Sequence, residues 1–329
     1  MLPLRDTVPS KNYPVVNTAL IGINLLVFLF QLSHGSAMNQ FVYVYGLVPA
    51  RYSVPDIASY FSPGLQLFSL LSFMFLHGGW LHLIGNMWSL WIFGDNVEDR
   101  LGSVRYLAFY LLCGLLSGLF HMVFNFGSNI PTIGASGAIA GVMGAYILLY
   151  PYSRILTLIP IIFIPWFIEI PAYVFLGIWF LMQFANTAGS TGAMGGVAWW
   201  AHVGGFLFGM VLLKLFLTLP KAGISTPFRK MTLKKTSQRL HGISPTGTRE
   251  DPHLYATIRL TPHEVLAGTR KLVNIPMGFR KRLFQVTIPP GTREGSVLRL
   301  KGVGKPLPDG GQGDIYLKVT VDSIYRSVS

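Results

Sequence analysis

Six nearly uninterrupted apolar stretches constrain this chain more than any other feature of its sequence. They cover residues 15–32, 79–94, 104–124, 136–150, 168–185 and 200–218. About 20 apolar residues in a helix cross the hydrocarbon core of a bilayer, and only 12% of the 329 residues are charged. The sequence therefore predicts an all-α polytopic membrane protein over residues 1–218, folded as a six-helix bundle.

The distribution of charge predicts the orientation of these spans. Residues 1–213 carry 6 Lys/Arg and 6 Asp/Glu, whereas residues 214–329 carry 20 and 7. Six spans place both termini on one side of the membrane, and most basic residues near the span ends fall on that same side. The positive-inside rule makes this side cytoplasmic. Arg51, in the first connection, is the exception.

Two segments outside the predicted spans have unusual compositions. Residues 33–78 interleave tyrosines with prolines and are too long for a simple connection, which indicates an amphipathic lobe in the membrane interface. Three prolines between residues 155 and 171 exclude one straight helix, so we expect an interfacial or re-entrant approach to the fifth span. An interfacial position would also explain the charge of Glu169.

The chain changes character after residue 218. Residues 219–252 are basic and rich in Ser, Thr, Gly and Pro, as linkers are. The alternation of polar and apolar residues then becomes that of β-strands, near 254–260, 270–276, 282–288, 296–301 and 313–321. Thr261-Pro262-His263-Glu264 is a capping box that predicts one short helix. We expect a membrane domain (1–218), a basic linker (219–252) and a small β-rich soluble domain (253–329).

A serine and a histidine lie among small residues in the fourth and sixth spans. Ser136 follows Gly134-Ala135, and His202 precedes Val203-Gly204-Gly205. Polar groups inside a bilayer usually serve a function, and small residues four apart let two helices approach closely. An imidazole can take the proton that a serine must lose to attack a carbonyl. The pattern indicates a Ser136–His202 pair, with mere polar contact between packed helices as the alternative.

His82 and Asn86 are four residues apart and project from one face of the second span. Imidazole and carboxamide donors in a dry site stabilise the oxyanion of acyl transfer, so both are candidates for an oxyanion hole. His77, His82 and His202 could instead hold zinc. That alternative lacks a His-Glu-x-x-His motif and a nearby carboxylate, and we expect neither a metal nor a cofactor.

Together these motifs resemble the rhomboid intramembrane serine proteases over about residues 10–218. The resemblance is carried by His82-x-x-x-Asn86, Gly134-x-Ser136-Gly137 and Ala201-His202-x-x-Gly205. It implies a six-helix rhomboid-like bundle with Ser136 as the nucleophile and His202 as the general base of a dyad without a third carboxylate. It also implies that His82 and Asn86 donate to the oxyanion, together with the backbone N–H of Ser136.

The same resemblance implies that the fifth span and residues 186–199 form a mobile gate for a substrate helix.

The sequence departs from the family at two places. Many relatives stack an aromatic ring on the catalytic histidine from the position where this chain has Ala140. Either the histidine is held less firmly, or another ring such as Trp199 or Trp200 supports it. Phe68-Ser69 replace a Trp-Arg pair of some relatives, so we expect different anchoring of the first loop.

The C-terminal part resembles the peptide-binding C-terminal domain of J-domain co-chaperones over about residues 252–321. The motifs that carry it are Leu260-Thr261-Pro262-His263-Glu264-Val265-Leu266-Ala267-Gly268-Thr269, Val286-Thr287-Ile288-Pro289-Pro290-Gly291-Thr292, Leu298-Arg299-Leu300-Lys301-Gly302-Val303-Gly304 and Gly311-Gln312-Gly313-Asp314-Ile315-Tyr316-Leu317. The His-Pro-Asp signature of a J domain is absent, so stimulation of an ATPase is not implied. An exposed sheet edge could bind extended peptides by strand addition. A passive domain, or contact of the basic linker with anionic lipid, is the alternative.

These observations predict an intramembrane serine endopeptidase that cleaves in or near transmembrane segments through a Ser-His dyad and an acyl-enzyme. Its expected partners are transmembrane protein substrates, membrane lipid and, for the C-terminal domain, peptides or client proteins, but no nucleic acid. The alternative function is a non-catalytic rhomboid-like binder of membrane clients, acting as a quality-control adaptor. We expect a multi-pass protein of a bacterial inner membrane with both termini in the cytoplasm. A cleaved signal peptide at the start is disfavoured by the spans that follow.

Overall fold

The computed structural model describes residues 1–161, 164–189, 198–219, 232, 241–242, 245–246, 251–277, 280–307 and 311–321. Two compact units form within the chain, residues 1–234 and 235–329. Most of the basic linker 219–252 lies outside the described residues. So do residues 190–197 of the predicted gate.

Helices dominate the first unit. In chain order they are α1 (Val15–Leu32), α2 (Met38–Tyr45), α3 (Pro55–Ala58), α4 (Pro63–Ser72), α5 (Trp80–Leu101), α6 (Ser103–Phe124), α7 (Ser136–Leu149), α8 (Ala172–Gly189) and α9 (Trp199–Thr218). The apolar helices α1 and α5 to α9 lie where the sequence predicts spans, so the expected helical membrane core is confirmed. In the described residues α1, α6 and α9 are each long and apolar enough to cross a membrane, and a bent pair formed by residues 63–75 with α5 would add a fourth. The apolar helices α7 and α8 are shorter.

The central helix of this unit is α7, which contacts α5, α6, α8 and α9. Its residues from Gly137 to Tyr146 are all buried, as expected of a helix that is apolar on every side. Fourteen residues span only about 21 Å, less than the roughly 30 Å of a hydrocarbon core. By length alone, α7 is therefore too short to cross the hydrocarbon core.

The aromatic segment 33–78 folds into α2, α3 and α4 with short 3₁₀ turns between them. Arg51, the exception to the charge asymmetry, is buried there with its guanidinium carbon 3.7 Å from the centre of the Phe61 ring and 5.1 Å from that of Tyr43. It also donates a hydrogen bond of 2.8 Å to the carbonyl of Val44. Cation–π contact and burial thus explain why this arginine does not obey the orientation rule.

The proline-rich segment before the fifth span is a β-hairpin. Strands β1 (Leu2–Asp6), β2 (Arg154–Ile161) and β3 (Ile164–Pro171) form an antiparallel sheet in that order. Of the prolines, Pro160 and Pro165 face each other near the tip, where few ladder hydrogen bonds are lost. Glu169 lies 3.8 Å from Arg154 at the base of the hairpin. The fifth span consequently begins at residue 172 and not at 168.

In its described residues, the second unit contains two three-stranded sheets and a short helix. Its elements are β4 (His241–Gly242), β5 (Leu254–Leu260), α10 (Pro262–Ala267), β6 (Thr269–Met277), β7 (Arg280–Ile288), β8 (Val297–Leu300) and β9 (Ile315–Val321), with sheet orders β4-β6-β7 and β5-β9-β8. The predicted capping box of α10 is present: Thr261 Oγ1 accepts from the Glu264 N–H at 3.3 Å, and Glu264 Oε2 accepts from the Thr261 N–H at 2.8 Å. The expected β-rich C-terminal region is confirmed.

Candidate active site

Ser136 is the first residue of α7 and is held by a backbone that only glycine permits. Gly134, two residues before it, has φ +125° and donates its N–H to the carbonyl of Phe73 at 2.9 Å. A β-carbon at Gly134 would lie 2.8 Å from Cε1 and Nε2 of His82. Both the backbone conformation and this contact exclude a side chain. The chain before Ser136 therefore passes directly against the second span.

Ser136 and His202 meet across α7 and α9. His202 Nε2 lies 2.7 Å from Ser136 Oγ, and the imidazole is 8% exposed. The contact depends on glycines: a β-carbon at Gly205 would collide with the carbonyl oxygen of Gly137, and one at Gly209 with that of Gly141. Small residues at these positions allow the two helices to touch through their backbones, which brings the two side chains together.

The other side of His202 faces the fifth span. Its Nδ1 lies 2.7 Å from Oε1 of Gln183, which is 7% exposed. Two indole rings flank the imidazole, Trp199 edge-on and Trp179 at a tilt, each with its centroid 6.0 Å away. Trp200 instead stacks on Phe124 at 3.8 Å.

Gln183 and Trp179 were missed by the sequence analysis, although an amide in an otherwise apolar span was a signal for the first. Ala140, at the position of the family's stacking ring, is completely buried, and a β-carbon at Gly205 would lie 3.3 Å from its methyl group. A side chain larger than alanine at position 140 would push against α9. The aromatic rings beside His202 come instead from Trp179 of α8 and Trp199 of α9.

His82 and Asn86 lie on the face of α5 that meets this site. The Gly78 N–H donates to His82 Nδ1 at 3.2 Å, so the proton of the neutral ring is on Nε2, the ring nitrogen on the side of Gly134. Asn86 is 7% exposed, and its Nδ2 has no hydrogen-bond partner among the described residues. A β-carbon at Gly134 would lie 3.6 Å from that nitrogen. Two nitrogen donors thus lie close to the backbone that precedes Ser136.

His77 lies behind the site as part of its support. It is fully buried, with its ring centroid 5.1 Å from that of His82. Its backbone is clamped by Gln31 of α1, which accepts from the His77 N–H at 3.1 Å and donates to its carbonyl at 2.6 Å. In the part of the chain that the structure describes, no group of three or more His, Cys, Asp or Glu could hold a metal ion.

The arrangement combines a hydroxyl next to a base with N–H donors near the same backbone. The first four residues of a helix also have N–H groups without intrahelical partners, and these favour negative charge. Ser136 is at that position in α7. Such a site can activate a hydroxyl for attack and stabilise a negatively charged oxygen, which are the two requirements of acyl transfer.

Comparison with known proteins agrees with the resemblance seen in the sequence. The Rhomboid domain family matches residues 64–219, and the DnaJ C terminal domain family matches residues 242–324. Similar proteins include rhomboid protein 1, mitochondrial, of Saccharomyces cerevisiae, at 29% identity over 59% of this chain and 51% of the relative. RHOMBOID-like protein 5 of Arabidopsis thaliana is 33% identical over 48% of this chain and 47% of the relative.

Rhomboid protease GluP of Bacillus subtilis is 35% identical over 37% of this chain and 22% of the relative. This chain therefore spans about half the length of the yeast relative and of the Arabidopsis relative. Both resemblances inferred from the sequence are confirmed at the level of the domain families. This chain is an integral membrane protein that carries a rhomboid domain followed by a DnaJ C-terminal domain.

Proposed function

We propose that the chain is an intramembrane serine endopeptidase with Ser136 as its nucleophile and His202 as its general base. The observation that carries this proposal is the 2.7 Å separation of His202 Nε2 and Ser136 Oγ. At this distance the imidazole takes the hydroxyl proton while the oxygen attacks a peptide carbonyl. The base is needed because an unassisted serine hydroxyl is a weak nucleophile.

The oxyanion of the tetrahedral intermediate is stabilised by Nε2–H of His82, Nδ2–H of Asn86 and the backbone N–H of Ser136. Asn86 supports this role because its buried Nδ2 is without a partner among the described residues. Leaving a buried donor unpaired costs about 1–3 kcal/mol. An oxyanion at this position accepts a hydrogen bond from Asn86 and removes that cost. Because the negative charge develops only in the transition state, the bond favours the transition state over the bound substrate.

Peptide hydrolysis then proceeds in two halves. His202 returns the serine proton to the leaving amine, the C–N bond breaks, and the acyl group stays on Ser136 as an ester. A water molecule next gives its proton to His202 and attacks the ester carbonyl. The serine oxygen leaves and takes the proton back, so the free carboxyl product is released and the enzyme is restored.

The substrates are transmembrane segments of other membrane proteins. Their helical backbone must unwind before attack, since hydrogen bonding within a helix occupies the carbonyls and crowds the approach of a nucleophile. Glycine and proline lower helix stability most. Segments that contain them near the cut are therefore the preferred substrates.

The orientation follows from the charge distribution. Both termini lie on the cytoplasmic side, because the excess of Lys and Arg is on that side of the six helices. The bacterial inner membrane stays a prediction from the sequence, since the relatives named above come from a yeast, a plant and a bacterium.

The C-terminal domain is proposed to bind peptides or unfolded parts of client proteins. Strand addition at an edge of its sheets would supply backbone hydrogen bonds without demanding one sequence. The basic residues of the linker, among them Lys230 and Lys234, would add attraction to anionic lipid.

The test is covalent labelling of the purified full chain by a serine-reactive fluorophosphonate, together with cleavage of a reconstituted transmembrane model substrate. We expect wild-type protein to be labelled and active, and Ser136→Ala and His202→Ala to lose both properties. Ser89→Ala is the matched control, because among the described residues the Ser89 hydroxyl bonds only the Gly85 carbonyl of its own helix, at 3.0 Å. Wild-type protein that is neither labelled nor active would instead indicate the non-catalytic binder of membrane clients.

A further inference from the structure

The general base of the candidate site has a second polar neighbour that comes from a third helix. Ser136 of α7, His202 of α9 and Gln183 of α8 form a continuous hydrogen-bonded line, with 2.7 Å between each pair of atoms. Gln183 and His202 are both more than nine-tenths buried. In such surroundings a hydrogen bond is stronger than in water, and an unpaired ring nitrogen is costly.

The chemistry of the site requires one tautomer of the imidazole. To accept the proton of Ser136, Nε2 must present its lone pair, and the neutral ring then carries its hydrogen on Nδ1. A carboxamide oxygen can only accept a hydrogen bond. Oxygen Oε1 of Gln183 therefore favours the tautomer that makes His202 a base, and it also fixes the plane of the ring.

We propose that Gln183 is a positioning residue that holds His202 in the tautomer and orientation needed for proton transfer from Ser136. The inference rests on the proposed function and deepens it: the pair predicted as a dyad is a line of three groups with a neutral amide in the third position. Because Gln183 lies on α8, the orientation of the His202 ring depends on how α8 is placed against α9. Trp179, one turn earlier on α8, covers the same imidazole.

The test compares two substitutions of Gln183 in the reconstituted full chain. Gln183→Leu keeps the size of the side chain but removes the acceptor, and Gln183→Glu keeps the acceptor. Gln40→Leu is the matched control, since it makes the same substitution at an exposed position of α2, away from His202 and from the predicted gate. The rate of cleavage of a transmembrane model substrate and the rate of fluorophosphonate labelling are measured for each protein.

For Gln183→Leu we expect kcat to fall by roughly 10- to 100-fold with little change in KM, since base catalysis as a whole contributes about 10²–10⁴-fold. Gln183→Glu should recover most of that loss. It should also move the low-pH limb of the kcat/KM profile to higher pH, because a carboxylate favours the protonated ring. The other titratable groups that act on His202 in the described residues are His82 of α5 and His121 of α6, and both are the same in all variants. A merely structural amide would not produce this shift.

A second measurement is independent of catalysis. The ¹⁵N chemical shifts of histidine-labelled protein distinguish a ring protonated at Nδ1 from one protonated at Nε2, and His202→Ala assigns the signal. We expect the Nδ1–H form in wild type and its loss in Gln183→Leu. An unchanged tautomer, or unchanged kcat in Gln183→Leu beside an active wild type, would overturn the positioning role. If the wild-type protein shows no Ser136-dependent cleavage but Gln183→Leu still changes the tautomer of His202, the proposed function is overturned and the positioning role stays in place.

Discussion

Gly205 of α9 lies so close to the carbonyl oxygen of Gly137 in α7 that no β-carbon fits between the two helices. Each glycine is a near neighbour in sequence of a site residue: Gly137 directly follows Ser136, and Gly205 is three residues after His202. The separation of the hydroxyl and the imidazole is therefore set by contact between two backbones.

Substitution of Gly205 by alanine should push α9 away from α7. Overpacking of a tight contact costs about 1–3 kcal/mol, and a displacement of 1 Å at a reacting pair can reduce the rate by about 10²-fold. We expect Gly205→Ala to lower both the thermal midpoint and kcat/KM on a transmembrane model substrate. Gly22→Ala in α1, where an added β-carbon meets nothing within 4 Å, should lower neither, since alanine is the better helix former. Wild-type values for Gly205→Ala would show that the backbone contact does not position the pair.

Asn86→Ala should separate catalysis from stability. Removal of an oxyanion donor typically costs about 10²–10³-fold in kcat, and we expect a loss of that order. Stability should hardly fall, since the Asn86 Nδ2 makes no hydrogen bond in the described residues. The measurements are kcat on the model substrate and the thermal midpoint in detergent. Loss of the folded state together with activity would mean that Asn86 has a structural role instead.

The C-terminal unit should lose stability in acid through Asp314. The N–H of Gly302 and the guanidinium of Arg299, which donate to this carboxylate at 2.8 Å and 2.6 Å, hold the pKa of Asp314 below its ordinary value of 3.8. A folded-state pKa below the unfolded one contributes stability above the unfolded value, and this contribution is lost as pH falls through the folded one.

The measurement is hydrogen exchange of the β5 and β9 amides in the full chain near neutral pH and below about pH 4. Wild type should lose protection in acid, whereas Asp314→Asn should be less protected near neutrality and change less with pH. Glu294→Gln makes the same change of charge at an exposed position and should behave as wild type. Equal pH dependence of Asp314→Asn and wild type would contradict this account.

A chain that ends after Lys234 should still cleave a generic transmembrane substrate in detergent. The first compact unit extends to this residue, and the cut preserves the 2.7 Å hydrogen bond from the Tyr13 N–H to the carbonyl of Thr232. We expect unchanged turnover of the generic substrate but a different choice among natural membrane clients, read out by comparing cleaved proteins in membranes. Complete loss of generic activity would mean that the C-terminal domain is part of the catalytic unit.

Several elements were predictable from local pattern alone. The apolar stretches determine α1 and α5 to α9, because a segment of about 20 apolar residues has few alternatives to a helix in a bilayer. The capping box at Thr261 likewise specified α10. The hairpin of β2 and β3 was not predictable, since prolines exclude a helix but do not reveal which strand will pair with which. Its partner β1 lies about 150 residues earlier in the chain.

The amino-acid sequence by itself determined the membrane core, the β-rich end and the four polar residues proposed for the site. The periodicity of apolar residues, the composition and each short motif can be recognised within a single segment of the chain. Only the tertiary structure decided that Gln183 meets His202, that Trp179 and Trp199 flank it, and that Arg51 is buried under aromatic rings. Those contacts join residues on different helices. They depend on how closely glycine faces let the helices approach, and no single segment encodes that distance.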